Sequence, residues 1–167
     1  MRFLCLGFLS MHAHMVFHNP PALPHPEVVA ILERALREPS ASHESAAADA
    51  LIGSALADED GDFVEHWCVQ VGTRAAGSNL LGLAALCLGH TARRFRHLSP
   101  AAIALAMSLA ARAECDPASV GAQALDGRDD ILGYLDPAAT DCRCGSGRIC
   151  PCHGGAHDRD EQPPNPA

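Results

Sequence analysis

Apolar positions recur with the spacing of α-helices from residue 25 to residue 135. Between residues 43 and 57, for example, the small and apolar side chains follow an i, i+3, i+4, i+7 order, which places them on one buried stripe. Proline-rich residues 16–24 come before this region, and no helix is expected to run through them. The pattern predicts six helices, near residues 26–37, 43–57, 63–72, 79–96, 100–113 and 117–134.

The signals for helix starts repeat every 37 residues. Ser42, Asn79 and Asp116 are strong N-cap residues and would begin the second helix of each unit, while Asp62 and Ser99 would begin first helices. The same offset aligns small residues and leucines within the second helices. These columns are Ala47/Ala84/Gly121, Ala48/Ala85/Ala122, Ala50/Cys87/Ala124 and Leu51/Leu88/Leu125.

Three such units fill the helical region, as repeats 25–61, 62–98 and 99–135. A single helical hairpin cannot bury its apolar face alone, and stacking on its neighbours solves this problem. The sequence therefore predicts an all-α fold, a short α-solenoid of three helical hairpins. Residues 1–24 are expected to be an extension, partly disordered or preceding the true start, and residues 136–167 a non-core tail rich in Cys, Gly and Pro.

The second helices of the later units resemble those of HEAT-like repeats. The middle one reads NLLGLAALCLG over 79–89, and the last reads DPASVGAQAL over 116–125. The Arg that HEAT repeats usually carry near the start is replaced by Leu81 and Gly121. Residues 82–94 are also similar to small bacterial HEAT-like proteins suspected of being immunity partners of toxins. The resemblance covers about two-thirds of the chain and implies a solenoid that binds other proteins.

The composition of the chain argues against two classes of binding partner, nucleic acids and membranes. The chain has 12 cationic side chains, all Arg, against 20 carboxylates, for a formal net charge of −8. Because nucleic acid binding needs clustered cations, no nucleic acid partner is expected. No apolar run approaches the roughly 18–20 residues of a membrane span, so no membrane partner is expected either.

Half of the eight cysteines lie within eleven residues of the tail. A disulfide framework would be spread through the fold, so this clustering favours metal chemistry in a reducing compartment. The apolar stretch at residues 3–9 is marginal as a signal sequence, and no small-x-small cleavage site follows it. The expected location is therefore the cytoplasm.

The tail segment 142–154, CRCGSGRICPCHG, resembles the SEC-C motif, a small zinc-binding tail. The resemblance implies a structural zinc site. Its ligands would be Cys142, Cys144, Cys152 and His153. The stretch between the ligand pairs is one residue short, and Cys150 is a spare thiol that could replace a ligand. The alternative is a disordered Cys-rich end that meets metal only by accident.

Two charged turns are predicted to lie side by side. The first carries five carboxylates, and the second, one repeat later, carries Arg93, Arg94 and Arg96. The five carboxylates are Asp58, Glu59, Asp60, Asp62 and Glu65. Either the turns pair with each other, or one or both meet a partner, in which case the acidic turn would attract a basic toxin domain.

The sequence contains no recognised catalytic motif, so a non-catalytic protein-binding module is expected, with neutralisation of a bacterial toxin as the specific hypothesis. The predicted partner-binding residues are Glu65, His66, Trp67, Arg93 and Arg94, with Trp67 as the anchor. For His66, a satisfied buried or half-buried histidine is the interpretation that the sequence favours over a ligand or binding role. One alternative is a zinc-dependent adaptor that binds through the tail. Another is an enzyme whose pocket joins Asp62, Glu65 and His66, for which the sequence supplies no motif.

Overall fold

A computed structural model describes residues 19–135, which form seven α-helices and, within that range, no strand. The chain is therefore all-α over its described part, as predicted. The helices are α1 (His25–Arg37), α2 (Ala41–Ala57), α3 (Gly61–Arg74), α4 (Ser78–Phe95), α5 (Pro100–Cys115), α6 (Pro117–Val120) and α7 (Gln123–Leu135). The first 18 residues and the whole tail, with its four predicted zinc ligands, lie outside the described residues.

Each predicted helix is present, but the sixth is divided in two. The predicted helix 117–134 is interrupted after Val120, and Gly121 has a φ of 87°. That left-handed conformation is open to glycine at little cost and ends the run of helical hydrogen bonds. The short α6 therefore turns directly into the longer α7.

Several helices begin earlier than the sequence predicted. The side chain of Ser40, not Ser42, caps α2 by accepting a hydrogen bond from the His43 N–H at 3.2 Å. Asp60, not Asp62, caps α3 by accepting from the Phe63 N–H at 2.9 Å. Ser99 and Asp116 cap the helices that follow them, as predicted.

The N-terminus of α4 has no capping side chain of its own. Its N-cap is Gly77, not the predicted Asn79. The carboxylate oxygens of Glu44, on α2, lie 2.8 and 2.9 Å from the point where a Cβ at Gly77 would be. A negative charge beside the first turn of a helix interacts favourably with the helix dipole. A carboxylate from an earlier helix thus lies beside the N-terminus of α4.

Helix α4 lies at the centre of the described region and contacts α2, α3, α5, α6 and α7. The aligned columns of the second helices supply much of the core. Ala47, Ala50, Leu51, Ala84, Cys87, Leu88 and Ala124 are each at most 2 % exposed. The burial predicted for the aligned columns is therefore confirmed for these residues, but Ala48, Gly121 and Leu125 are half-buried and Ala122 is exposed.

Glycines let α4 and α7 approach with their backbones in contact. A Cβ at Gly127 would lie 2.2 Å from the carbonyl oxygen of Ala85, and one at Gly89 would lie 2.8 Å from the Cα of Gly127. Real Cβ atoms do not approach other atoms so closely. The small residues of α4 are therefore a packing surface for α7.

Among the described helices, none combines the length and the apolar character needed to cross a membrane.

Candidate functional site

Two adjoining depressions lie where α3 begins, α4 ends and α5 begins. The larger, which we call the acidic cleft, has a volume of about 550 Å³. It is lined by Glu59, Asp60, Gly61, Asp62, Glu65, Thr91, Phe95 and His97. The smaller, which we call the side groove, has a volume of about 340 Å³ and is lined by Asp62, Glu65, His66, Val69, Ser99 and Ala101. Because Asp62 and Glu65 line both, the two depressions adjoin.

Three of the five clustered carboxylates hold the ends of helices. Asp58 accepts from the Asp60 N–H at 2.9 Å, and Asp60 in turn caps α3. Glu65 reaches across to α5, where its Oε2 accepts from the Ser99 N–H at 3.0 Å. The charge run is therefore partly a structural device. Glu59 and Asp62 remain exposed.

The first helix is tied to the same region through His25. Its Nε2 lies 2.9 Å from Asp58 Oδ2, and its ring stacks on Phe63 with centroids 3.6 Å apart and planes at 3°. His25 begins α1, and Asp58 follows α2. This contact joins the start of the first hairpin to its end and to the start of α3.

The two charged turns are neighbours, as predicted, but their side chains do not pair. The Arg94 guanidinium donates to the carbonyl oxygens of Ala55, at 2.8 Å, and of Asp58. These carbonyls lie at the C-terminal end of α2, where the helix dipole and unsatisfied acceptors favour a cation. Arg96 instead lies over the Tyr134 ring, 4.5 Å from its centroid.

Arg93 belongs to a separate cluster on the α4–α7 contact. It lies 3.2 Å from His90 Nδ1 and 3.6 Å from Asp130 Oδ2. Burial lowers the pKa of His90, and the charge of Arg93 lowers it further, while Asp130 acts in the opposite direction. This cluster holds α4 against α7 and contributes nothing to the lining of the acidic cleft.

Trp67, the predicted anchor for a partner, is buried and not available on the surface. It is only 7 % exposed and packs in the core with Val64, Cys68 and Val71 on the buried face of α3. The adjacent His66 is exposed and lines the side groove, its ring at 88° to the indole, with centroids 5.5 Å apart. The prediction of a buried or half-buried His66 is therefore wrong, because the side chain is exposed.

Of the five predicted partner-binding residues, the structure places only Glu65 and His66 in the lining of these depressions. Arg94 braces the turn beside the acidic cleft, Arg93 is on the α4–α7 contact, and Trp67 is in the core. Sequence reasoning missed Phe95 and His97, which enter the cleft from the end of α4 and the turn after it.

The three residues of the enzymatic alternative, Asp62, Glu65 and His66, all line the side groove. No hydrogen bond joins them to one another among the described residues, and the carboxylate of Glu65 bonds to the backbone of Ser99. Within residues 19–135, no group of three or more His, Cys, Asp or Glu side chains is arranged to hold a metal ion. The predicted zinc ligands are in the tail, outside this range.

Cys68 and Cys87 are fully buried, as their columns predicted. A hydrogen bond between the two thiols and then burial raise the pKa of Cys68. Both side chains lack solvent access and pack among apolar residues, so both act as core side chains.

No protein-family model matches the chain, and neither a curated protein nor a solved structure matches it.

Proposed function

We propose that this chain is a non-catalytic protein-binding module, built as a short α-solenoid of three HEAT-like hairpins. Helix contacts support the architecture: α3 packs against both α1 and α5, while α4 packs against both α2 and α7. First helices thus neighbour first helices, and second helices neighbour second helices. Such stacks offer extended surfaces that bind other proteins.

The observation that carries this function is the open acidic cleft. It lies between successive hairpins, at the junction of α2 with α3 and of α4 with α5. The carboxylates that line it form no ion pair with a described residue. Its chemistry supports binding of a partner better than conversion of a substrate.

Within this class, we propose neutralisation of a bacterial toxin in the cytoplasm. Two observations support the choice: the resemblance of residues 82–94 to small immunity-like HEAT proteins, and the acidic body of the chain. An acidic surface would attract the basic surface that a toxin acting on nucleic acid presents. The partner would be a protein, with no direct role for nucleic acid or membrane.

The test is capture followed by reconstitution. The tagged chain is incubated with lysate of its source cells, and retained proteins are identified by mass spectrometry and purified. We expect one protein to re-form a complex of defined stoichiometry, and its expression alone to stop growth that coexpression of this chain restores. The absence of any protein above the tag-only control would overturn protein binding. A reconstituted partner that is harmless when expressed alone would overturn only the toxin hypothesis.

A second candidate is a zinc-dependent adaptor that binds through the tail. The observation that favours it is the pair of motifs in the tail, with Cys142 and Cys144 in one and Cys152 and His153 in the other. Atomic emission should then find about one zinc per chain, lost when residues 136–167 are removed. A matched control is Cys115→Ser, because Cys115 is an exposed cysteine outside the tail. A full-length chain without zinc would refute this candidate.

A further inference from the structure

We propose that the acidic cleft and the side groove form one docking surface for an extended, basic segment of another protein. The segment would place Arg or Lys side chains against the carboxylates, and small apolar side chains against the apolar residues of the lining. This inference rests on the proposed protein-binding function and specifies the chemistry of the partner.

The shape of the surface comes from the adjoining depressions. Asp62 and Glu65 stand between them and line both, so a chain that follows one depression continues into the other. The ring of Phe95 packs against Gly61, where an added Cβ would lie 2.9 Å from the ring. Val69 and Ala101 line the side groove. A lining that combines apolar atoms with carboxylates suits a segment that is both basic and partly apolar.

The charge of the surface is not balanced by described residues. Elsewhere in residues 19–135, some carboxylates pair with cations, such as Glu33 with Arg37 and Asp130 with Arg93, while others, such as Asp49 and Asp126, form no ion pair. The acidic cleft differs because it gathers four carboxylates in one depression. None of Glu59, Asp60, Asp62 and Glu65 has a cationic partner in that range.

The single positive charge of Arg94, beside the cleft, offsets only part of the negative charge of these four carboxylates. Arg94 directs its guanidinium to backbone carbonyls at the end of α2, not to the cleft carboxylates. A concave surface with one sign of charge concentrates the field and attracts the opposite charge. The complementary cations are therefore expected from a second molecule.

The test uses a matched pair of double variants, each of which removes two negative charges. The docking-surface variant is Glu59→Gln with Asp62→Asn. The control is Asp49→Asn with Asp126→Asn. All four side chains are exposed, and Asp62 and Asp126 both lie in the first turn of a helix, so the two variants lose similar helix-dipole interactions. Glu65 is kept, because it bonds to the start of α5.

The probe is a short fluorescent peptide of repeated Arg-Ala-Leu units, with a Glu-Ala-Leu peptide for comparison, measured by fluorescence anisotropy at low and physiological salt. We expect the docking-surface variant to bind the Arg peptide about five- to tenfold more weakly, and the control less than about twofold more weakly. Equal weakening by both variants would show attraction to the overall charge and overturn the inference. Binding of the Glu peptide as tightly as the Arg peptide, or no binding of the Arg peptide to the unaltered chain, would also overturn it.

The captured partner separates this inference from the proposed function. If the partner binds the docking-surface variant as tightly as the unaltered chain, the surface is wrong and protein binding stands. If no partner is captured while the Arg peptide still distinguishes the two variants, the surface stands and the proposed function fails. Circular dichroism of both variants confirms that each is folded before binding is measured.

Discussion

Replacing Gly127 with alanine tests the close contact between α4 and α7. An alanine inside a helix normally stabilises it by about 0.5–1 kcal/mol relative to glycine. Here the added Cβ would lie 2.2 Å from the carbonyl oxygen of Ala85, 2.5 Å from its carbonyl carbon and 2.7 Å from the nitrogen of Leu86. All three atoms belong to the backbone of α4 and cannot rotate away, so the helices must separate. Overpacking of this kind costs about 1–3 kcal/mol, and we expect the loss to outweigh the gain in helix propensity.

The same helix supplies the control. Gly133 is exposed, and a Cβ there would meet nothing within 4 Å. Gly133→Ala should therefore stabilise the fold by about 0.5 kcal/mol, since only helix propensity acts. The measurement is urea unfolding followed by far-ultraviolet circular dichroism, with the free energy extrapolated to water. If Gly127→Ala were as stable as Gly133→Ala, the packing of α7 directly on the α4 backbone would be refuted.

Three further predictions concern charged and capping side chains. Burial lowers the pKa of His90, so the folded chain binds fewer protons than the unfolded chain just below pH 6.5. The free energy of unfolding should therefore fall as the pH drops from about 6.5 through the pKa of His90 in the folded chain. Urea titrations at several pH values should show that His90→Asn removes the part of this fall that His90 causes. If the pH profile of the variant were unchanged, His90 would not be its source. Arg94→Gln should lower the free energy of unfolding by about 1 kcal/mol in the same assay, because carbonyls at the end of α2 lose their donor. The control, Arg74→Gln, loses only a contact within its own helix and should lower it by less than about 0.5 kcal/mol. Asp60→Ala should cost about 1 kcal/mol in thermal melts and Asp62→Ala clearly less, and the reverse order would show that the sequence-predicted cap was the correct one.

The sequence predicted the helices well because their signals are local. Apolar spacing, prolines and cap-type residues are all properties of neighbouring positions along the chain. The caps themselves were misplaced where two suitable residues lie two positions apart, as with Ser40 and Ser42. Both can accept a backbone hydrogen bond, and only the path of the chain into α2 decides which one reaches the His43 N–H. The break at Gly121 was missed because the repeat assigned that position a packing role.

The candidate site was less predictable because it depends on contacts between distant segments. The acidic residues could be found by their density, but the cleft exists because Phe95 and His97 are brought to the same place from another turn. The burial of Trp67 could not be predicted from the residues that the 37-residue offset aligns with it. Its column mates Ala30 and Ala104 are exposed, which suggests an outward position, yet the larger indole is buried. No periodicity in the sequence reports how far a side chain reaches inward.

The contacts between helix ends also determine the size of the folding unit. Arg94 completes the end of α2, Glu65 the start of α5, and Glu44 lies at the start of α4. Each of these contacts joins helices on different sides of a turn at which the chain could be cut into hairpins. A fragment that lacks some of these helices would leave backbone acceptors or donors at the remaining helix ends without their side-chain partners. A shortened chain therefore loses these hydrogen bonds in addition to the surface that the missing helices bury. Residues 25–135 should accordingly unfold in one cooperative step, and a partner docked on the acidic cleft would raise the stability of all the described helices together.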